Sequence, residues 1–142
     1  MYKNILLTVD LSDDGSWVKA APTAVEMCKA FGANLHLLTV VPDMGMPLVE
    51  EYFPENYEEE MAKSAAALIA DFANTQFPDD LKPQIHIASG SIYKEILRVA
   101  EETNTDVIVM ASPRPELSDY LLGPNAARVV RHANCSVMVV RA

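Results

Sequence analysis

Basic residues are scarce in this chain: 11 Lys and Arg stand against 20 Asp and Glu, a formal charge of −9 over 142 residues. Such a surface repels nucleic acid and anionic membranes, so neither is expected as a partner. Long apolar runs are missing too, and none approaches the roughly 20 residues that a bilayer crossing needs. Lys3 leads straight into Ile5-Leu-Leu-Thr-Val9 with no charged-then-apolar leader, so no secretory segment is expected. Cysteine is limited to Cys28 and Cys135, which form neither a spaced framework nor a metal pattern; a reducing cytoplasm fits them best. His36, His86 and His132 lie apart, with no second ligand beside any of them in sequence. They read as structural histidines, and no metal site is expected. No nucleophile, base and acid stand at a recognisable spacing, so dedicated hydrolase chemistry has no support.

What is present is an alternation. The length suits one domain spanning residues 1–142, large enough for a two- or three-layer core. Five apolar runs, over 2–9, 34–41, 83–88, 106–111 and 136–140, are separated by helical patterns. The first, second and fourth are nearly continuous Ile, Leu and Val, as expected for strands covered on both faces. The third, Gln84-Ile-His-Ile-Ala88, alternates, which suits an edge strand with one wetter face.

Trp17, Ala20, Ala21, Ala24, Val25 and Cys28 recur at helical spacing ahead of Gly32, and Pro22 is expected to kink that helix or delay its regular part. A longer helix over 58–77 places Met61, Ala65, Leu68, Ile69 and Phe72 on one face. A third, over 91–102, follows Gly90-Ser91 with Ile92, Ile96, Leu97 and Ala100 apolar; a fourth opens at Gly123-Pro124-Asn125 and runs through Ala133. Right-handed β–α–β crossovers between such elements make the sheet parallel. The fold class is therefore α/β, with helices on both faces. Residues 42–56, rich in Pro and carrying Met44 and Met46, are too long for an ordinary connection and read as a lid, a binding segment or a partly disordered stretch.

Ligands of parallel α/β sheets sit where strands end and helices begin. Asp10 ends the first strand, where a carboxylate can face a ribose hydroxyl or a metal carried by phosphates. It can equally serve as a turn residue, although Ser12, Asp13 and Asp14 already supply caps. Gly123 lets an anion approach the N–H groups that open the last helix. Pro124 is a favoured first helical residue, but it removes one of those N–H groups. Arg114, between two prolines after the fourth strand, Arg128 and the Asn125 amide are candidate phosphate ligands.

Taken together, the stretches Ile5-Leu-Leu-Thr-Val-Asp10-Leu-Ser-Asp13, Gly32-Ala-Asn-Leu-His-Leu-Leu-Thr-Val40, Gly90-Ser91, Thr105-Asp-Val-Ile-Val-Met110 and the block from Leu121 to Arg141 resemble the universal stress protein family over essentially the whole length. Ala111-Ser-Pro-Arg-Pro115, with Tyr120-Leu-Leu-Gly123 and Asn125-Ala-Ala127, looks closest to its F and G branch. The resemblance implies an adenine nucleotide α-hydrolase-like fold, a five-stranded sheet of order 3-2-1-4-5, and a homodimer formed through the last strand, Val137, Met138, Val139 and Val140. It also implies ATP or ADP as ligand, with Mg2+ carried by the phosphates and Asp10 as its contact. By the family pattern Thr8, Val9, Asp10 and Val40 lie near ribose or adenine, and Met110, Ala111, Gly123, Pro124 and Asn125 lie along the phosphates, with Arg114 compensating. The family's phosphate motif is Gly-x-x-Gly, nine residues, then Gly-Ser/Thr. Here Ala111 replaces the first glycine, the second is lost in a slightly shorter loop, and Pro124 replaces the Ser/Thr; only Gly123 survives. Two functions stay open: a nucleotide-binding regulatory or stress-response protein, at most a slow ATPase, and a dimeric interaction module that no longer binds nucleotide.

Overall fold

The computed structural model describes residues 1–11, 13–42, 57–112 and 124–141. In chain order these form β1 (Asn4–Thr8), a short 3-10 turn (Asp14–Ser16), α1 (Ala20–Phe31), β2 (Asn34–Pro42), α2 (Tyr57–Gln76), β3 (Gln84–Gly90), α3 (Ile92–Glu102), β4 (Val107–Ser112), α4 (Pro124–His132) and β5 (Ser136–Arg141). The strands make one sheet of order β3-β2-β1-β4-β5, and every neighbouring pair is parallel.

The continuous apolar runs are explained by two cores, one on each face. In β1, Ile5, Leu6 and Leu7 are all fully buried although successive side chains point to opposite sides of a strand. Ile5 and Leu7 join Leu35, Leu37, Val107 and Val109 beneath α1 and α2. Leu6 joins Leu38, Ile108 and Met110 beneath α3 and α4. An apolar residue at every position is what a strand needs when both faces are covered. β3 lies at one edge, with Ile85 and Ile87 still partly open, and β5 lies at the other.

Pro22 falls in the first turn of α1, in line with a delayed start of regular helix. The α-helix is regular from Ala20, and Trp17 lies in the turn before it. Ala21 N–H reaches Trp17 C=O (2.9 Å) and Thr23 N–H reaches Lys19 C=O (3.2 Å), straddling the residue that has no N–H to give. In the first turn that missing donor costs little. At the other end Gly32 takes a left-handed φ of 64°, and Ala33 N–H returns to Cys28 C=O at 3.0 Å, closing the helix.

The long helix departs from the pattern. Ile69, Phe72 and Ala73 are buried, whereas Leu68 is 58% exposed and Met61 is 37% exposed. The buried positions fall in the second half of this 20-residue helix, and Leu68 stands about 100° around the helix from its buried neighbour Ile69. In α3 the buried stripe is Ile96, Val99 and Ala100, with Ile92 and Leu97 at its margin.

Asp106 fastens the N-terminal ends of three strands. Its Oδ2 accepts the N–H groups of Lys3 (2.8 Å) and Asn4 (2.9 Å), while its own N–H donates to Asn4 C=O and its C=O accepts from Ser136 N–H. The two donated hydrogen bonds hold its carboxyl below the usual carboxylate range.

Candidate functional site

In a parallel sheet ligands collect outside the C-terminal strand ends at the point where strand order reverses. Here that point lies between β1 and β4, since the chain builds β2 and β3 to one side of β1 before crossing to the other. A cleft of about 350 Å³ opens there. It is lined by Thr8 at the end of β1 with Val9 and Asp10 after it, by Val40 on β2, by Met110 and Ala111 on β4, and by Pro124 and Asn125 opening α4. Eight of the expected site residues are thus brought together from four elements that are distant in sequence. Arg114 and Gly123, with Ser12, Met44 and Met46 and nearly all of 42–56, lie outside the described residues. Arg128 is not in the cleft; its guanidinium sits 5.0 Å from the centroid of the Tyr93 ring.

The turn after β1 is built tightly. Ser16 Oγ accepts from Asp10 N–H (2.9 Å) and donates to Asp10 C=O (2.8 Å), bracketing that residue's backbone. Asp13 N–H returns to Asp10 C=O at 3.0 Å, and Asp13 Oδ1 accepts from Gly15 N–H at 3.0 Å, capping the 3-10 turn. The capping role therefore falls to Asp13, and the exposed Asp10 lies on the cleft. The wall is mostly apolar, with Val9 and Met110 buried. Pro124 is the first residue of α4, as its sequence context favours.

Six of the lining residues were not expected: Asp13 and Ser16 from the turn, Leu38 on β2, Ile92 and Ile96 from α3, and Ala126 in α4. The strand-end argument had a usable signal for Ile92, because Gly90-Ser91 marks the junction of β3 and α3, and Gly90 adopts a φ of 132° there. A second cleft, about 430 Å³, opens beside Arg98, Glu101, Thr105, His132 and Cys135. It sits at the N-terminal ends of β4 and β5, away from the switch point.

His36 and His86 are not separate. Adjacent strands bring His36 Nδ1 within 3.0 Å of His86 Nε2, with ring centroids 5.2 Å apart. Burial pushes both imidazoles below their usual range; His86 charge lowers His36 further, and Glu102 partly offsets the effect on His86. Their hydrogen bond needs one N–H and one lone pair, so two protonated rings are incompatible with it. The folded pKa values are depressed, so the unfolded chain binds more protons below about pH 6.5, and stability, full above that value, is lost as pH falls through it. Thermal unfolding between pH 8 and 5 should show a slope of up to about 1.4 kcal/mol per pH unit per histidine. His86→Gln should reduce it, and an equal slope in that variant would reject this origin. Among the described residues no group of three or more His, Cys, Asp and Glu is placed to hold a metal ion. Burial raises both thiols, Cys28 to about 11, so neither is an activated nucleophile.

Comparison with known proteins follows this geometry. Residues 1–141 match the sequence profile described as the Universal stress protein family. Universal stress protein G of Escherichia coli O157:H7 is 33% identical over 147 residues, covering 99% of this chain and all of that protein. The solved structure of universal stress protein UspA from Lactobacillus plantarum superposes with a TM-score of 0.72 at 29% identity, over 99% of this chain and 98% of its own. A universal stress protein solved in complex with cAMP shares the fold at a TM-score of 0.60 and 20% identity, over 99% and 97%.

Proposed function

Because the chain belongs to the universal stress protein family and has its adenine nucleotide α-hydrolase-like fold, we propose that it is a nucleotide-binding regulatory or stress-response protein that holds ATP or ADP in the cleft between β1 and β4. The observation that carries this reading is the convergence of Thr8, Val9, Asp10, Val40, Met110, Ala111, Pro124 and Asn125 on one cleft at the switch point. Its parts suit an adenine nucleotide. Val40, Met110 and Ala111 offer a flat apolar wall for a purine, Thr8 and Asp10 offer hydrogen bonds to ribose hydroxyls, and the N–H groups and Asn125 amide of the first turn of α4 face the phosphates. Arg114 and Gly123 are proposed as further phosphate contacts. Mg2+ is proposed to arrive with the phosphates and to meet Asp10. A relative of this fold holds cAMP; at that identity the likeness supports the fold, and the ligand class rests on the cleft.

Titration calorimetry with ATP, ADP and AMP, with and without Mg2+, should give saturable heat. Silence at millimolar ligand would remove the nucleotide reading and leave the dimeric interaction module, which the loss of an N–H at Pro124 favours.

β5 is proposed to pair with the same strand of a second copy. It is an edge strand whose Val137, Val139 and Val140 are half-buried and whose Met138 is 38% exposed, the kind of edge that is normally covered. Sedimentation should find a dimer that Met138→Lys weakens; a monomeric wild type would reject the pairing. A cytoplasmic location belongs to the same proposal. Its supports are two free thiols and the lack, among the described residues, of a helix long and apolar enough to cross a membrane; cell fractionation tests it.

A further inference from the structure

We infer that the His36–His86 pair is a proton-operated latch: it holds the edge strand β3 to the sheet, and its full protonation releases β3 together with the turn into α3, one wall of the switch-point cleft. Geometry makes β3 the strand most easily freed. It is paired on one side only, to β2, along Gln84–Gly90. Of its 7 residues only Ala88 is buried, whereas Ile5, Leu6 and Leu7 of β1 and Val107, Ile108 and Val109 of β4 are almost or wholly closed off. A strand that buries so little apolar surface opens at lower cost than the rest of the domain. Its side-chain tie to the sheet is the hydrogen bond between His36 Nδ1 and His86 Nε2, at 3.0 Å. Beyond this tie β3 passes through Gly90, at a φ of 132°, into Ser91 and Ile92, and Ile92 lines the cleft.

The bond is built to respond to protons. One added proton can be shared, since a charged ring donates to its neutral neighbour. A second leaves two donors and no acceptor, and sets two positive charges against each other. Little nearby offsets them. In register, His36 faces Leu6 on β1 and Gln84 on β3, and His86 faces Leu38 on β2, all uncharged. The helix over this face, α3, brings Glu102 toward His86, but Arg98 already holds that carboxylate at 2.7 Å and Glu95 at 2.6 Å. Lys82, just before β3, turns to Asp79 and to the Asn74 carbonyl. The core beneath α2 lies across the opposite face. Burial disfavours both charged imidazoles while β3 is closed, and opening hydrates them. The closed form is therefore fully favoured above about pH 6.5 and loses ground as pH falls below it.

Hydrogen–deuterium exchange of the full chain, corrected for the intrinsic amide rate at each pH, tests the latch. At about pH 7.5, amides of residues 84–92 should open at least about tenfold more often than those of β1 and β4. At about pH 5.5 their opening constant should rise about tenfold for each histidine protonated, up to about a hundredfold. His86→Gln keeps an amide able to donate to His36 and should cut that rise to about tenfold or less. Glu102→Gln changes an exposed side chain and leaves both rings in place. By removing the carboxylate that favours a charged His86, it should move the rise to lower pH. One opening constant shared by β3, β1 and β4 at both pH values would overturn the latch. So would a β3 opening that ignores pH, or a rise that survives His86→Gln at full size.

Discussion

Ile108→Ala is expected to destabilise the protein by about 2–5 kcal/mol, a loss comparable to much of a small domain's total stability. Ile108 lies in β4, between β1 and β5, and is fully buried. It packs in the core that α3 and α4 close over the sheet, with Leu6, Leu38, Ile96 and Val129. Neighbouring backbone is held on both sides by parallel ladders, so the space left by the missing atoms cannot easily collapse, and the cavity penalty adds to the lost transfer energy. Urea unfolding should show a lower midpoint with an unchanged slope. Leu68→Ala is the matched control: Leu68 is 58% exposed on α2, and its truncation should cost roughly 0.5 kcal/mol or less. Equal losses in the two variants would mean that the core does not lie where the sheet places it.

That contrast also marks where sequence stops informing the fold. In β1 and β4 an apolar residue at every position is enough to read burial on both faces, because nothing else tolerates it. The edge position of β3 follows from its alternation. Leu68 fails for a definite reason: it stands one residue, about 100° around the helix, from fully buried Ile69, at the margin of the stripe that Ile69, Phe72 and Ala73 bury. The order β3-β2-β1-β4-β5 is not written in any local pattern either and was anticipated only through family resemblance. Asp106 and the His36–His86 pair are invisible for the same reason. Their partners lie 102 or 103 residues and 50 residues away, and only strand register brings them together.

The candidate site was more legible than these contacts because strand ends are local features. Asp10 follows the end of β1, Val40 lies near the end of β2 and Pro124 announces a helix start, so each position could be read without knowing its neighbours. Asp13 and Ser16 were harder, since a cap and a turn hydroxyl look the same whether they face solvent or a cleft. Arg128 shows the opposite failure: an arginine near a helix start suggests phosphate until the geometry gives it Tyr93.

Pro124→Ser should raise ATP affinity about tenfold to a hundredfold, corresponding to roughly 1–3 kcal/mol for a restored hydrogen-bond donor and hydroxyl. The substitution returns an N–H to the first turn of α4 and places a hydroxyl beside it, where partial positive charge already collects. Its cost to the fold is small, because proline and serine are both accepted at a helix start and Pro124 is exposed. Comparing ATP with adenosine makes the outcome specific. Adenosine affinity should remain within about twofold of wild type, since the apolar wall at Val40 and Met110 is untouched and only the phosphate side is altered. The ratio of ATP to adenosine affinity should therefore rise by the same tenfold to hundredfold. An equal gain for ATP and adenosine would instead point to a general tightening of α4, and no change for either would mean that the first turn of α4 does not meet phosphate. If wild type is silent and the variant binds, the natural protein is the interaction module, and Pro124 is the residue that closes its cleft to nucleotide.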